Sequence, residues 1–396
     1  MANIAVLIGT GYCGEDILHK LPWIKHIEKN NDVYIASRID PNIHLNENLK
    51  RLIGIEAFLD ISHSFHELKL AVKDFAIIYN SEFFNRIYTN SDFDKLQTEF
   101  HISFNFIRSM DRRFFNRESF QDKRDQDELN RYLSGLTKFF YEFYKKNDIS
   151  VLINTLEDDA FSVIAFYVAK RMNIRIIGFM GSRFPKKGFM FCDNFSDICE
   201  WNKELQDLNL KEIYQNNYIS GKEIFERNKN YYKINSVNKR INGFLSVKNF
   251  NRYSKSIIEN YDCEKFIFPY LNLSKQITQY IMNQVRIIIF NHLSTKIKAE
   301  EKYFLFPLHY TEDAQITFRE PLMDQKQILR QISRSIPSGY ILYVKPHPHY
   351  LGCDIKISDF LELKKIKNIK ILDPRILPFE AIKNSQAIIT INSTTG

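Results

Sequence analysis

The chain has little glycine and no paired cysteines. Only 13 glycines occur in 396 residues, and alanine is also scarce, which fits a nucleotide bias in the genome better than a functional demand. The five cysteines, Cys13, Cys192, Cys199, Cys263 and Cys353, are scattered, and no CxxC pair exists. Cys192 and Cys199 have no histidine at ligand spacing, which argues against a zinc site. Isolated thiols suit a reducing cytoplasm. The amino terminus, "MANIAVLIGTGYCG", has no basic leader, and its apolar run "IAVLI" is too short for a signal peptide. No stretch reaches the roughly 18 apolar residues of a membrane span. GxSxG, HExxH and P-loop signatures are missing, as are internal repeats and low-complexity tracts.

What is present is globular. Hydrophobic residues make up 44% and aromatics 14%, enough for sizeable cores, and the length suggests two or three domains. The formal charge of +8 and pI near 9.0 fit an anionic partner without choosing among nucleotide, phosphorylated lipid, membrane surface and nucleic acid.

Strand and helix signals alternate at both ends of the chain. "IAVLI" (4–8) and "DVYIASR" (32–38) read as strands, and 65–146 reads as mostly helical. "SVLINTL" (150–156), a following helix and "IRIIGFM" (174–180) form a β-α-β unit, which implies a parallel sheet. Residues 200–298 are polar and aromatic, with a long helical stretch near 274–297. Between Arg227 and Lys255 there are eight basic residues, interleaved aromatics and no acid. From 302 the alternation resumes: "KYFLFPL", "YILYVKP", "IKILD" and "AIITIN" are strands. The expected fold class is therefore α/β with two Rossmann-like, doubly wound domains. The expected boundaries are 1–200, a helical basic insertion at 201–299, and 300–396. The second domain ends after its fourth strand with no closing helix, so it is expected to be incomplete.

Several constellations fall at strand ends, where open α/β sheets bind ligands. Gly9, Gly11 and Gly14 form G-x-G-x-x-G between a strand and a helix. This pattern suits a dinucleotide, a glycine loop facing an interdomain cleft, or a purely structural turn. Ser37 and Arg38 could hold a 2′-phosphate. Glu157, Asp158 and Asp159 follow the strand at 150–156. Mutual repulsion can raise one of their pKa values toward a general base, and the competing role is helix capping. "YVKPHPHY" puts Lys345, His347 and Pro348 at a strand end, with prolines fixing the turn. Ser393, Thr394 and Thr395 follow the last strand, where hydroxyls and free N–H groups suit a phosphate or an ordinary cap. The polar loop 306–321, with His309, Gln315 and Arg319, is expected to face the same place.

"FLFPLHYTEDAQI", "LYVKPHPHY" and "PFEAIKNSQAIITINSTTG", in that order, resemble the carboxy-terminal half of GT-B glycosyltransferases that make surface polysaccharides. The nearest are the capsule and lipopolysaccharide enzymes that use CMP-activated Kdo or sialic acid. The resemblance is best over about 300–396 and only architectural over 1–200. It implies two domains facing a cleft and a nucleotide-sugar donor. It assigns donor-phosphate contacts to Lys345, His347–Pro348 and Ser393–Thr394, with Thr395, Arg319 and Gln315 beside them. It assigns the base to Glu157, Asp158 or Asp159, although Ala160 stands where the sialic acid enzymes usually carry glycine. The expected reaction is direct displacement with inversion, without metal or other cofactor, onto a glycan or lipid-linked acceptor. The expected location is cytoplasmic, with 227–255 touching anionic membrane; nucleic acid is not expected as a partner. The competing readings are an NADP-dependent oxidoreductase built on Gly9, Gly11 and Gly14, and a non-catalytic remnant.

Overall fold

The structure, a computed structural model, describes residues 1–8, 15–38, 55–84, 86–111, 123–155, 159–181, 189–194, 197–198, 273–309, 324–346 and 357–391. The chain divides into two compact units. One comprises Met1–Asn202 with Ile258–Leu271, and the other Lys203–Ile257 with Asn272–Gly396.

The first unit is built on a sheet ordered β3-β2-β1-β4-β5-β6-β7. Its strands are β1 (Asn3–Ile8), β2 (Asp32–Ser37), β3 (Asp74–Ile77), β4 (Val151–Thr155), β5 (Arg175–Gly181), β6 (Phe189–Asn194) and β7 (Asp197–Ile198). Strands β3 to β5 pair in parallel, with Asn3 opposite Asp32 and Ile4 opposite Val151. β6 and β7 add an antiparallel margin. β1 is buried from Ile4 to Ile8, as expected of a central strand covered on both faces. Helices α1 (Glu15–Ile27) and α2 (Ile55–Ala71) bring Leu21, Ile24, Ile61, Phe65 and Leu68 onto Val6, Ile8, Val33 and Ile35. Helices α3 (Asn90–Phe100) and α4 (Phe104–Met110) precede α5 (Lys123–Lys146), which packs on α6 (Ala160–Arg171). There Phe140 lies 5.2 Å from Phe161, and Tyr144 donates to the Ala165 carbonyl at 3.2 Å. Burial of that phenol pushes its pKa well above the ordinary value, so it remains a donor.

The second unit has a wholly parallel sheet, ordered β10-β9-β8-β11. Its strands are β8 (Lys302–Pro307), β9 (Tyr340–Lys345), β10 (Ile369–Ile371) and β11 (Ala387–Ile388). Helices α7 (Leu273–Leu293), α8 (Gln325–Ser335) and α9 (Ile357–Lys364) contribute Ile287, Phe290, Leu329, Phe360 and Leu363 to one core with Phe306, Leu342 and Val344. The opposite face packs Tyr303, Tyr343 and Leu372 against Ala381 of α10 (Pro378–Lys383). The helical stretch expected near 274–297 is thus α7, and its inner face belongs to the second sheet's core. Among the described residues no helix is long and apolar enough to cross a membrane.

Candidate functional site

Both sheets place the first strand of their unit beside the fourth, with the second and third on its other side. The strand order therefore reverses between β1 and β4 and between β8 and β11. Parallel strands leave their carboxyl ends on one edge, and the reversal opens a crevice there that receives ligands in such sheets.

At the edge of the first unit a buried charge cluster closes the amino terminus of α6. The Arg38 N–H extends the β1–β2 ladder by donating to the Ile8 carbonyl at 2.9 Å. Its guanidinium donates to Asp159 Oδ2 at 2.5 Å, and the two side chains are only 4% and 2% exposed. The other oxygen of Asp159 accepts from the Ser162 N–H at 2.9 Å and the Ser162 hydroxyl at 3.0 Å, which makes Asp159 the N-cap of α6. Asp111, at the end of α4, accepts from the Ala160 N–H at 2.7 Å. The Arg38 guanidinium also lies 5.6 Å from the centre of the Phe161 ring. Two carboxylates of the chain thus occupy the positive end of α6, which the helix dipole favours. An anion would have to displace them to bind there. On the same edge Lys20 of α1 donates its buried ammonium to the Leu7 carbonyl at 2.6 Å.

The second unit's edge is also held by charged groups. Beyond β8, the Leu308 N–H donates to the Lys345 carbonyl at 2.8 Å. His309 is fixed through its backbone. Its N–H donates to Gln325 Oε1 at 2.8 Å, and Gln325 Nε2 donates back to its carbonyl at 2.9 Å. Lys345, 4% exposed at the end of β9, donates to the carbonyls of Pro374 at 3.1 Å and Pro346 at 3.3 Å. After β10, Asp373 receives a bidentate grip from the Arg375 guanidinium, the shortest contact being 2.6 Å. Burial pushes the Asp373 carboxyl up, but the Arg375 hydrogen bonds and the charges of Arg375 and Lys345 outweigh it, and the net shift is downward.

Of the three candidate carboxylates, Asp159 is the cap and the partner of Arg38, and its oxygens are occupied. Arg38, considered for a 2′-phosphate, is buried in that pair. Lys345, expected to face a donor phosphate, is buried at the end of β9 and donates to the Pro346 and Pro374 carbonyls, which links the exits of β9 and β10. Gly9, Gly11, Gly14, Glu157, Asp158, Gln315, Arg319, His347, Pro348, Ser393, Thr394, Thr395 and the segment 227–255 lie outside the described residues. Reading the sequence did not single out Asp111, Lys20, Asp373 or Arg375. Only Asp373 had a local signal, as the charged residue that ends "IKILD". Among the described residues no group of three or more His, Cys, Asp or Glu side chains could hold a metal ion.

Comparison with known proteins adds one informative match. Residues 221–396 match the family described as capsule polysaccharide biosynthesis protein. The match supports a role in surface polysaccharide biosynthesis, and it contains "VKPHP" and "STTG". No curated protein matches the chain. Solved structures similar to it include a UDP-GlcNAc 2-epimerase from Neisseria meningitidis bound to UDP-GlcNAc. That likeness has 10% identity and a TM-score of 0.22, and covers 100% of this chain and 78% of the other. The enzyme of the same name from Methanocaldococcus jannaschii gives 16% identity and a TM-score of 0.22, over 98% and 78% of the two chains. Likenesses this weak add nothing to the fold described above.

Proposed function

We propose that the chain is an inverting glycosyltransferase of surface polysaccharide biosynthesis. It takes a nucleotide-sugar, CMP-linked, as donor and a hydroxyl of a glycan or lipid-linked glycan as acceptor. The observation that carries the reading is a coincidence of chemistry and topology in the matched segment. β9 and β11 flank β8, so the chain leaves both on the same edge, about 10 Å apart across one strand. His347 follows β9 and Ser393–Thr395 follow β11. A phosphate that both reach is stabilised as it departs with the nucleotide.

The amino terminus of α6 supports giving the first unit's edge to an acceptor hydroxyl, since its Ala160 and Ser162 N–H groups already donate to Asp111 and Asp159. With Asp159 serving as the cap, this reading gives the base to Glu157 or Asp158. In the proposed reaction that carboxylate takes the acceptor proton as the acceptor oxygen attacks the anomeric carbon. The bond to the donor phosphate breaks with inversion. His347 and the Ser/Thr turn hold the phosphate, with Gln315 and Arg319 of the matched segment beside them.

Thermal-shift titration with CMP, UDP, GDP and NADPH tests the reading. Stabilisation by CMP that His347→Ala removes supports it. A response to UDP or GDP alone keeps the transferase and changes the donor. A response to NADPH that Gly11→Ala removes, with His347→Ala inert, overturns it. The structure gives the oxidoreductase reading no help, because Arg38 is already paired with Asp159.

A further inference from the structure

Helix α7 is apolar on two opposite faces. Ile287 and Phe290 lie 6% and 1% exposed in the core of the second unit. Ile281, Met282, Val285 and Ile288 are 44%, 42%, 38% and 46% exposed. At 100° per residue, 281, 285 and 288 fall within about 60° of one another, with 282 alongside, opposite the buried pair. A helix with one apolar face toward its core ordinarily carries polar residues on the other. Among the described side chains of that outer face, exposed Ser274 and Thr278 precede the aliphatic stripe and exposed His292 follows it.

Charge indicates what the stripe meets. From Lys265 to Ala299 the sequence contains no Asp or Glu, but includes Lys265, Lys275, Arg286, Lys296 and Lys298. Lys296 and Lys298 are exposed just beyond the end of α7. A stripe meant for another protein surface has no need to exclude acids over 35 positions. An anionic lipid surface repels every carboxylate near it, and each basic residue beside it adds attraction. Aliphatic side chains on an otherwise solvated helix can enter the headgroup boundary while the helix lies in the plane.

We infer that the outer face of α7 is a membrane-docking surface: Ile281, Met282, Val285 and Ile288 enter the headgroup region of an anionic bilayer, and the surrounding basic residues hold it there. This inference does not depend on the proposed glycosyl transfer.

The test is co-sedimentation of the full chain with vesicles of phosphatidylcholine alone and of phosphatidylcholine with phosphatidylglycerol. Binding is expected only with phosphatidylglycerol, falling as salt rises. The double variant I281S/I288S should weaken it at least about tenfold, because two aliphatic side chains lose their burial in lipid. Its thermal melt should match the parent's, since both positions face outward. In a separate variant, Ile281→Trp, the emission should shift to the blue on addition of the phosphatidylglycerol vesicles. No binding, equal binding to both vesicles, or binding unchanged in I281S/I288S would overturn the inference. So would light scattering that shows a dimer lost in I281S/I288S, which would assign the stripe to a second copy.

Discussion

Arg38 and Asp159, separated by 121 positions in sequence, meet through a 2.5 Å hydrogen bond. The contact joins the end of β2 to the start of α6, the helix that follows β4, two strands away in the sheet, and both side chains are buried.

Removing one partner of such a pair strands the other charge away from water. Arg38→Met and Asp159→Asn should each destabilise the first unit by about 3–5 kcal/mol in urea denaturation. The double variant Arg38→Met/Asp159→Leu should recover much of the loss, because neither charge then remains buried. Equal losses in single and double variants would mean that capping and packing, not charge, dominate.

The base assignment has a kinetic consequence. One of Glu157→Gln and Asp158→Asn should lower kcat by about 10²- to 10⁴-fold. KM for the donor should change little in that variant. The other substitution should be mild. Steady-state transfer assays on both, with melting curves as a check on folding, identify the base. Two mild effects would return the role to another group.

Acid should weaken the second unit through Glu301 and Asp373. Burial pushes Glu301 up, but hydrogen bonds from Lys370 and Tyr343 and the charges of Lys370 and Lys298 outweigh it and the net shift is downward, as for Asp373. A carboxyl whose folded pKa is depressed contributes stability that is present above its unfolded pKa. That contribution is lost as pH falls through the folded pKa. Stability should therefore decline from just below pH ~4.5 downward. Glu301→Gln and Asp373→Asn should lower stability at neutral pH and flatten the acid limb. Denaturation midpoints across this range provide the check.

Lys345 should matter for folding more than for charge on a ligand. Its ammonium satisfies two carbonyls in a buried place, so Lys345→Met should cost about 1–3 kcal/mol. CMP stabilisation, measured by thermal shift at a temperature where the variant is folded, should persist. Loss of that stabilisation would restore Lys345 as a phosphate ligand.

The strands that a reader can find in the sequence are those buried on both faces. "IAVLI" and "KYFLFP" are near-continuous apolar runs because helices cover both sides of their sheets. β3 escaped notice because Asp74–Ile77 is short, only partly buried and embedded in a helical stretch. The strand expected over "AIITIN" keeps ladder pairing only at Ala387–Ile388. Asp159 as an N-cap was one of two readings, and the Asp-x-x-Ser spacing of Asp159 and Ser162 supports it. The pairing with Arg38 was not legible. It depends on the register that sets β2 beside β1 and β4 beyond it, and no local pattern encodes that.

Lys345 has a bearing on how this edge is held. With one ammonium holding the exits of β9 and β10 at a fixed spacing, the connections that follow begin from anchored positions. One side chain thus sets where the chain leaves two neighbouring strands, so a single substitution at Lys345 would release both exits at once.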